Sequence, residues 1–161
     1  MHPRAAELIR TLDLVPHPEG GFFREIFRSR LLVRPTDDRG ERPALTTIFF
    51  LLVEGQVSRW HAVRSDEVWH LYEGGPLELF VAAADGSAIE RFRLAPAGVH
   101  ERPTRTVPAG GWQAARPLGE YALAGCTVGP GFAYEDFRFL SDDLTALATL
   151  RAAAPDLAEL V

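Results

Sequence analysis

Among side chains that can transfer protons near neutral pH, the five histidines come first: His2, His17, His61, His70 and His100. Two of them sit in one dense stretch, Arg59-Trp60-His61-Ala62-Val63-Arg64-Ser65-Asp66-Glu67-Val68-Trp69-His70. A carboxylate beside an imidazole orients its tautomer and favours its charged form, which suits proton abstraction next to a carbonyl. His61 and Glu67 are the residues of this stretch that could form such a pair. Alternate residues of a strand share a face, so Arg59, His61 and Val63 point one way while Ser58, Trp60 and Ala62 point the other. Arg59 is therefore a candidate to bind ligand beside His61. Plainer readings stand beside these. His61 with Glu67 also fits a satisfied structural pair. His17 lies between prolines before Gly20-Gly21, where turn geometry accounts for its neighbours. His2 and His100 read as surface residues, Trp60 as core and Cys126 as a small buried hydrophobe.

Composition narrows the chemistry further. All 17 cationic side chains are arginine, which excludes a protein Schiff base, a lysine-anchored pyridoxal cofactor and a Walker-type phosphate loop. The 22 acidic residues leave a net charge of -5, which argues against nucleic acid or an anionic membrane as partner. A single cysteine forms neither an internal disulfide nor a cysteine-rich zinc site. The longest apolar run, 48–53, is far too short to span a bilayer, and the N-terminus lacks an apolar signal core. A cytoplasmic address is expected.

These residues need a frame, and 161 residues suit one domain, 1–161. Ala5, Leu8, Ile9 and Leu12 follow Pro3 at helical spacing and predict a short opening helix. From Gly20 onward, short runs rich in Phe, Val, Ile, Thr and Tyr alternate with Gly, Pro and Asp turns. Strands are predicted over 22–29, 46–53, 57–63, 67–72, 77–84, 89–94, 111–115, 121–127 and 132–139. Asp85-Gly86 and Glu73-Gly74-Gly75-Pro76 read as hairpin turns between antiparallel strands. The proline-rich stretch 96–108 reads as a loop with a bridge strand at 106–107. Ser141 predicts the N-cap of a closing helix that restarts at Pro155. The pattern is all-β, and a small barrel or jelly roll accommodates it better than an immunoglobulin-like sandwich.

Two separated motifs then carry a resemblance. Gly55, His61, Val63, Glu67 and Gly74 reproduce the spacing of the first cupin motif, with Val63 at its second histidine. Pro108-Ala109-Gly110-Gly111-Trp112-Gln113 keeps the frame of the second motif, with Gln113 at the ligand histidine. The likeness extends to Pro16-His17-Pro18-Glu19-Gly20-Gly21 and to Gly125-Cys126-Thr127-Val128-Gly129-Pro130-Gly131-Phe132, and so covers most of the chain. The sequence resembles the single-domain cupin family of unknown function, domain of unknown function 985, close to RmlC-like sugar epimerases.

The resemblance implies a cupin-type double-stranded β-helix, a jelly-roll barrel with short N-terminal and C-terminal helices, often a homodimer, with a small-molecule pocket. It also implies that Glu67 points inward with Trp69, while His70 and Tyr72 face outward. A cupin metal site takes about three imidazoles and one carboxylate. Here His61, Glu67 and Gln113 are the set that could hold a weak divalent metal, and no cofactor is expected. By analogy with the epimerases, His61 is the base, Glu67 its orienter and Tyr134 an opposing acid on the last strand. Arg59, Trp69 and Gln113 are the expected ligand-binding residues. The reading is a metal-independent isomerase or epimerase of a small polar or sugar-like compound. A non-catalytic binding cupin and a weak-metal enzyme are the alternatives.

Overall fold

The computed structural model covers residues 1–161. A helix, α1 (Pro3–Thr11), opens the chain, with Pro3 in its first turn and the His2 side chain accepting the Arg4 N–H at its N-terminus. Thirteen strands follow: β1 (Val15–Pro16), β2 (Phe22–Arg28), β3 (Leu32–Val33), β4 (Arg42–Pro43), β5 (Thr46–Val53), β6 (Ser58–Val63), β7 (Asp66–Gly74), β8 (Leu77–Ala82), β9 (Glu90–Leu94), β10 (Thr104–Val107), β11 (Trp112–Pro117), β12 (Tyr121–Gly129) and β13 (Phe137–Phe139). A second helix, α2 (Leu144–Ala153), and a 3-10 turn at Pro155–Leu160 close the chain.

Two antiparallel sheets carry the architecture. One has the order β1-β2-β5-β12-β7-β10 and the other β13-β6-β11-β8-β9. The chain changes sheet at nearly every turn from β5 onward, as in a jelly roll, so consecutive strands seldom pair. The Asp85-Gly86 turn does join an antiparallel pair, β8 and β9. Gly74-Gly75 does not form the expected hairpin, because β7 and β8 lie in different sheets. Its glycines let the chain cross between sheets: Gly74 has φ +96°, and a Cβ there would meet the Tyr121 carbonyl at 2.5 Å.

Three apolar layers hold this frame. Phe50, Leu52, Trp69, Leu79 and Ala124 fill the space between the sheets. Trp60, Phe80 and Trp112 face outward from the second sheet and are buried under Leu147, Leu150 and Leu157 of the C-terminal segment. Trp60 donates its indole N–H to the Leu157 carbonyl at 2.9 Å. On the far side, Ala5 and Leu8 of α1 cover Leu51 and Leu123. The strand alternation expected for β6 is thus obeyed at Trp60 and Ala62, which face the helix, and at His61 and Val63, which face the interior.

Near the C-terminus two boundaries differ from expectation. The last predicted strand is mostly not a strand: Tyr134–Asp136 form a 3-10 turn and only Phe137–Phe139 pair, with β6. The cap of α2 is Asp143, whose carboxylate accepts the Ala146 N–H at 3.0 Å, while Ser141 lies in a preceding 3-10 turn. Serine and aspartate are both good caps, and packing of Leu140 into the core selects the later one.

Candidate functional site

At one end of the barrel the two sheets diverge around a cavity of about 420 Å3. Its polar groups include His17, Glu19, His61 and Glu67, all with side chains nearly out of solvent. Its wall includes Phe23, Ile48, Val63, Val128, Phe132 and Phe137. Arg28, Glu25 and Tyr134 also border it and are solvent-exposed, so they form its mouth.

His61 is 2% exposed, and both ring nitrogens are engaged. Nδ1 lies 2.7 Å from the Arg59 carbonyl oxygen. A carbonyl only accepts, so Nδ1 carries a hydrogen and Nε2 of the neutral ring has a lone pair. Nε2 faces Glu19 Oε2 at 3.2 Å, a separation short enough for the two groups to exchange a proton. Glu19 is the direct partner of His61. Glu67, the partner expected from the sequence, acts through its charge from across the cavity. Burial pushes the His61 imidazole down, partly offset by Glu67 and by donation to the Arg59 carbonyl. Burial pushes Glu19 up to about 6, opposed by His17, Ser58 and Arg59.

Glu19 reaches this position through a tight turn that sequence reasoning assigned to local geometry alone. His17 N–H donates to the Gly21 carbonyl, Gly20 N–H donates to the His17 carbonyl, and Arg59 N–H donates to the Glu19 carbonyl. A Cβ on Gly20, at φ +115°, would lie 2.0 Å from the Val57 carbonyl oxygen. The adjacent glycines therefore mark close passage of this turn, Gly20 against the residue before β6 and Gly21 against Leu51 of β5, the signal by which Glu19 could have been found. His17 is also part of the site: Nδ1 accepts the Glu19 N–H at 3.3 Å and lies 3.6 Å from Glu19 Oε2, and its ring packs edge-on against Phe23.

Glu67 is buried opposite, and Gln113 controls it. The indole N–H of Trp69 donates to Gln113 Oε1 at 2.8 Å, which leaves Gln113 Nε2 to donate to Glu67 Oε2 at 2.6 Å. Trp69 is donor-only, so the amide has one orientation. Burial holds the Glu67 carboxyl above its ordinary range, and the charge of His61 and the Gln113 bond oppose this. The thiol of Cys126 borders the cavity and is also pushed up by burial.

The predicted residues thus divide. His61, Glu67 and Tyr134 border one cavity. Gln113 and Trp69 stand behind Glu67 and do not line it. Arg59 is turned away, donating to the Pro18 carbonyl at 2.7 Å and lying over the Phe139 ring. Tyr134 belongs to the 3-10 turn and is 59% exposed at the mouth. His70 and Tyr72 are on the outer face, stacked on each other, as parity required.

The cupin fold implies a metal, and the residues here do not fit one. Val63 supplies no lone pair, both polar atoms of Gln113 are spent on Trp69 and Glu67, and both nitrogens of His61 are taken. No three His, Cys, Asp or Glu side chains are grouped to hold an ion.

Two sheets wound as a jelly roll with a cavity at one open end define the class as a cupin barrel. The chain belongs to the family described as Cupin superfamily (DUF985), which it matches over residues 6–140. A hypothetical protein from Leishmania major is 31% identical, covering 98% of this chain and 96% of its own, with a TM-score of 0.81. A protein from Shewanella oneidensis is 30% identical, covering 97% and 96%, with a TM-score of 0.83. Oxalate decarboxylase from Bacillus subtilis shares the fold at 16% identity and a TM-score of 0.58, over 91% of this chain and 36% of that one. No curated protein matches the chain at a significant level.

Proposed function

We propose that this protein binds a small molecule in the cavity and transfers a proton on it without a metal, as an isomerase or epimerase does. The contact between His61 Nε2 and Glu19 Oε2, with Nδ1 anchored on the Arg59 carbonyl, carries the reading. When the shared proton dissociates, Nε2 becomes a base of fixed tautomer beside a carboxylate that stabilises the imidazolium formed. The substrate C–H next to a carbonyl breaks, its proton passes to Nε2, and its electron pair forms a C=C bond. The carbonyl π pair moves to oxygen, which takes a proton from Glu67, held towards its protonated form by burial. His61 Nε2 then gives a proton back to carbon while the enol O–H proton returns to Glu67, which re-forms the carbonyl and restores both groups with no oxidant or reductant. Tyr134, at the mouth, is better placed to orient ligand than to act at the floor.

Solvent-deuterium incorporation into a bound carbonyl compound tests this. His61→Gln lowers incorporation by about two to four orders of magnitude while ligand binding persists. Equal incorporation in the variant rejects His61 as the base. A second reading, a non-catalytic binding protein, draws on one observation: no buried side-chain polar atom lacks a partner, as in a finished structural network. Under that reading His61→Gln weakens capture and no incorporation occurs in either protein.

The assembly is read as a homodimer. Phe27 and Tyr72, each 51% exposed, lie on the outer face of the first sheet beyond the part that α1 covers, an area a second copy would bury.

A further inference from the structure

We infer that the ligand of this cavity is a compound with a flat aryl body and one carbonyl next to an enolisable C–H, and not a carbohydrate. The inference rests on the proton-transfer reading of the same site and narrows it to a substrate class.

Much of the cavity's hydrogen-bonding capacity is already used. Thr46 Oγ1 accepts the Phe132 N–H at 2.9 Å. Arg28 donates to both carboxylate oxygens of Glu25 and to the Phe132 carbonyl. Glu19 Oε1 accepts from Ser58, and Glu67 Oε2 accepts from Gln113. A sugar brings a hydroxyl on nearly every carbon, and each hydroxyl taken from water without a partner is costly. This wall has few partners to offer.

Aromatic surface is what the wall does offer. Phe137 stacks on His61 with centroids 5.3 Å apart and planes at 21°, and Phe132 stands edge-on to both Phe137 and Tyr134. A flat ring extends such an array by stacking or edge contact. At the floor the polar groups are His17, Glu19, His61 and Glu67, gathered in one small cluster that suits one carbonyl and its adjacent carbon. At the mouth the Arg28 charge is neutralised by Glu25. A phosphate would have to displace that carboxylate, so a neutral ligand suits the entrance.

Phenylacetone, D-glucose 6-phosphate and acetone are titrated calorimetrically into the wild-type protein and into Val63→Trp and Val128→Phe, two separate cavity-filling variants whose folding is checked by circular dichroism. Phenylacetone is expected to bind at least about tenfold more tightly than either other compound, the effect of burying one aryl group. It is expected to lose that affinity in whichever filling variant folds. Should neither fold, competition between phenylacetone and acetone on the wild-type protein, followed by NMR of the His61 ring, decides. No phenylacetone binding, tighter binding of the sugar phosphate, or phenylacetone affinity untouched by filling overturns the inference. Deuterium exchange separates it from the parent reading. Phenylacetone bound without benzylic exchange above buffer rejects proton transfer and keeps the ligand class. Sugar-phosphate binding with exchange that requires His61 does the reverse.

Discussion

In the proposed reaction a proton held between His61 and Glu19 must leave before His61 can act as the base. With Glu19 raised to about 6, deuterium incorporation should climb as pH rises through that value. Rates flat from pH 5 to about 8 would mean that this proton has no part in the step. The same shift has a stability consequence of definite sign. A carboxyl whose pKa rises from 4.5 to about 6 on folding stabilises the native state fully below 4.5 and loses that contribution as pH climbs to 6. The loss amounts to about 2 kcal/mol. Glu19→Gln should remove this limb from a profile of denaturant midpoint against pH, leaving the slope due to Glu67. A variant profile superimposable on wild type would show that Glu19 is not buried as described. Metal chemistry can be restored at the same scale. Val63→His with Gln113→His places two imidazoles near His61 and Glu67, and zinc titration should then show much tighter binding than in the wild type. Trp69 would lose its acceptor in that variant, so some loss of stability accompanies the gain.

At the scale of elements, two turn segments shape the site. The turn from Pro16 to Gly21 delivers Glu19, and it fits only because residue 20 lacks a side chain. Gly20→Ala should cost about 1–3 kcal/mol through backbone displacement. It should also abolish the pH dependence assigned to Glu19, since the turn must move off Val57. Loss of stability with that pH dependence intact would place the strain elsewhere. The second segment is the 3-10 turn that carries Tyr134 and leads into Phe137. Asp136 pins it: its carboxylate accepts from Arg42 at 2.8 and 3.0 Å and from Arg39 at 3.4 Å. These guanidiniums hold the Asp136 carboxyl below its ordinary range. Asp136 is nearly fully buried and is the carboxylate that Arg42 pairs with, whereas Arg39 also pairs with Asp37, so Asp136→Asn leaves the Arg42 charge without an acidic partner and should destabilise by about 3 kcal/mol, read from chemical denaturation. It should also loosen phenylacetone binding, because Phe132, Tyr134 and Phe137 lose their anchor.

For the whole molecule, the proposed homodimer rests on the open face of the first sheet. Tyr72→Arg with Phe27→Arg should yield monomer in sedimentation velocity, with the fold unchanged because both side chains are already half exposed. A wild-type protein that sediments as monomer rejects the dimer. Much of the architecture was legible in the sequence because strand alternation and turn residues are local properties. The opening helix, the long strands, the cupin motif spacing and the inward placement of His61, Val63, Glu67 and Trp69 all follow from period two and from motif position. What the sequence did not contain is which segment closes over which. Glu19 lies 42 positions before His61, so only the packing of the turn on β6 joins them. Arg59 is on the right strand face at the barrel rim, where its long side chain turns to the Pro18 carbonyl instead of entering the cavity. Gln113 points inward as its position predicted, yet Trp69 and Glu67 consume both its polar atoms. Period and spacing set direction along a strand, while partners across a cavity depend on contacts between distant segments that no local pattern encodes.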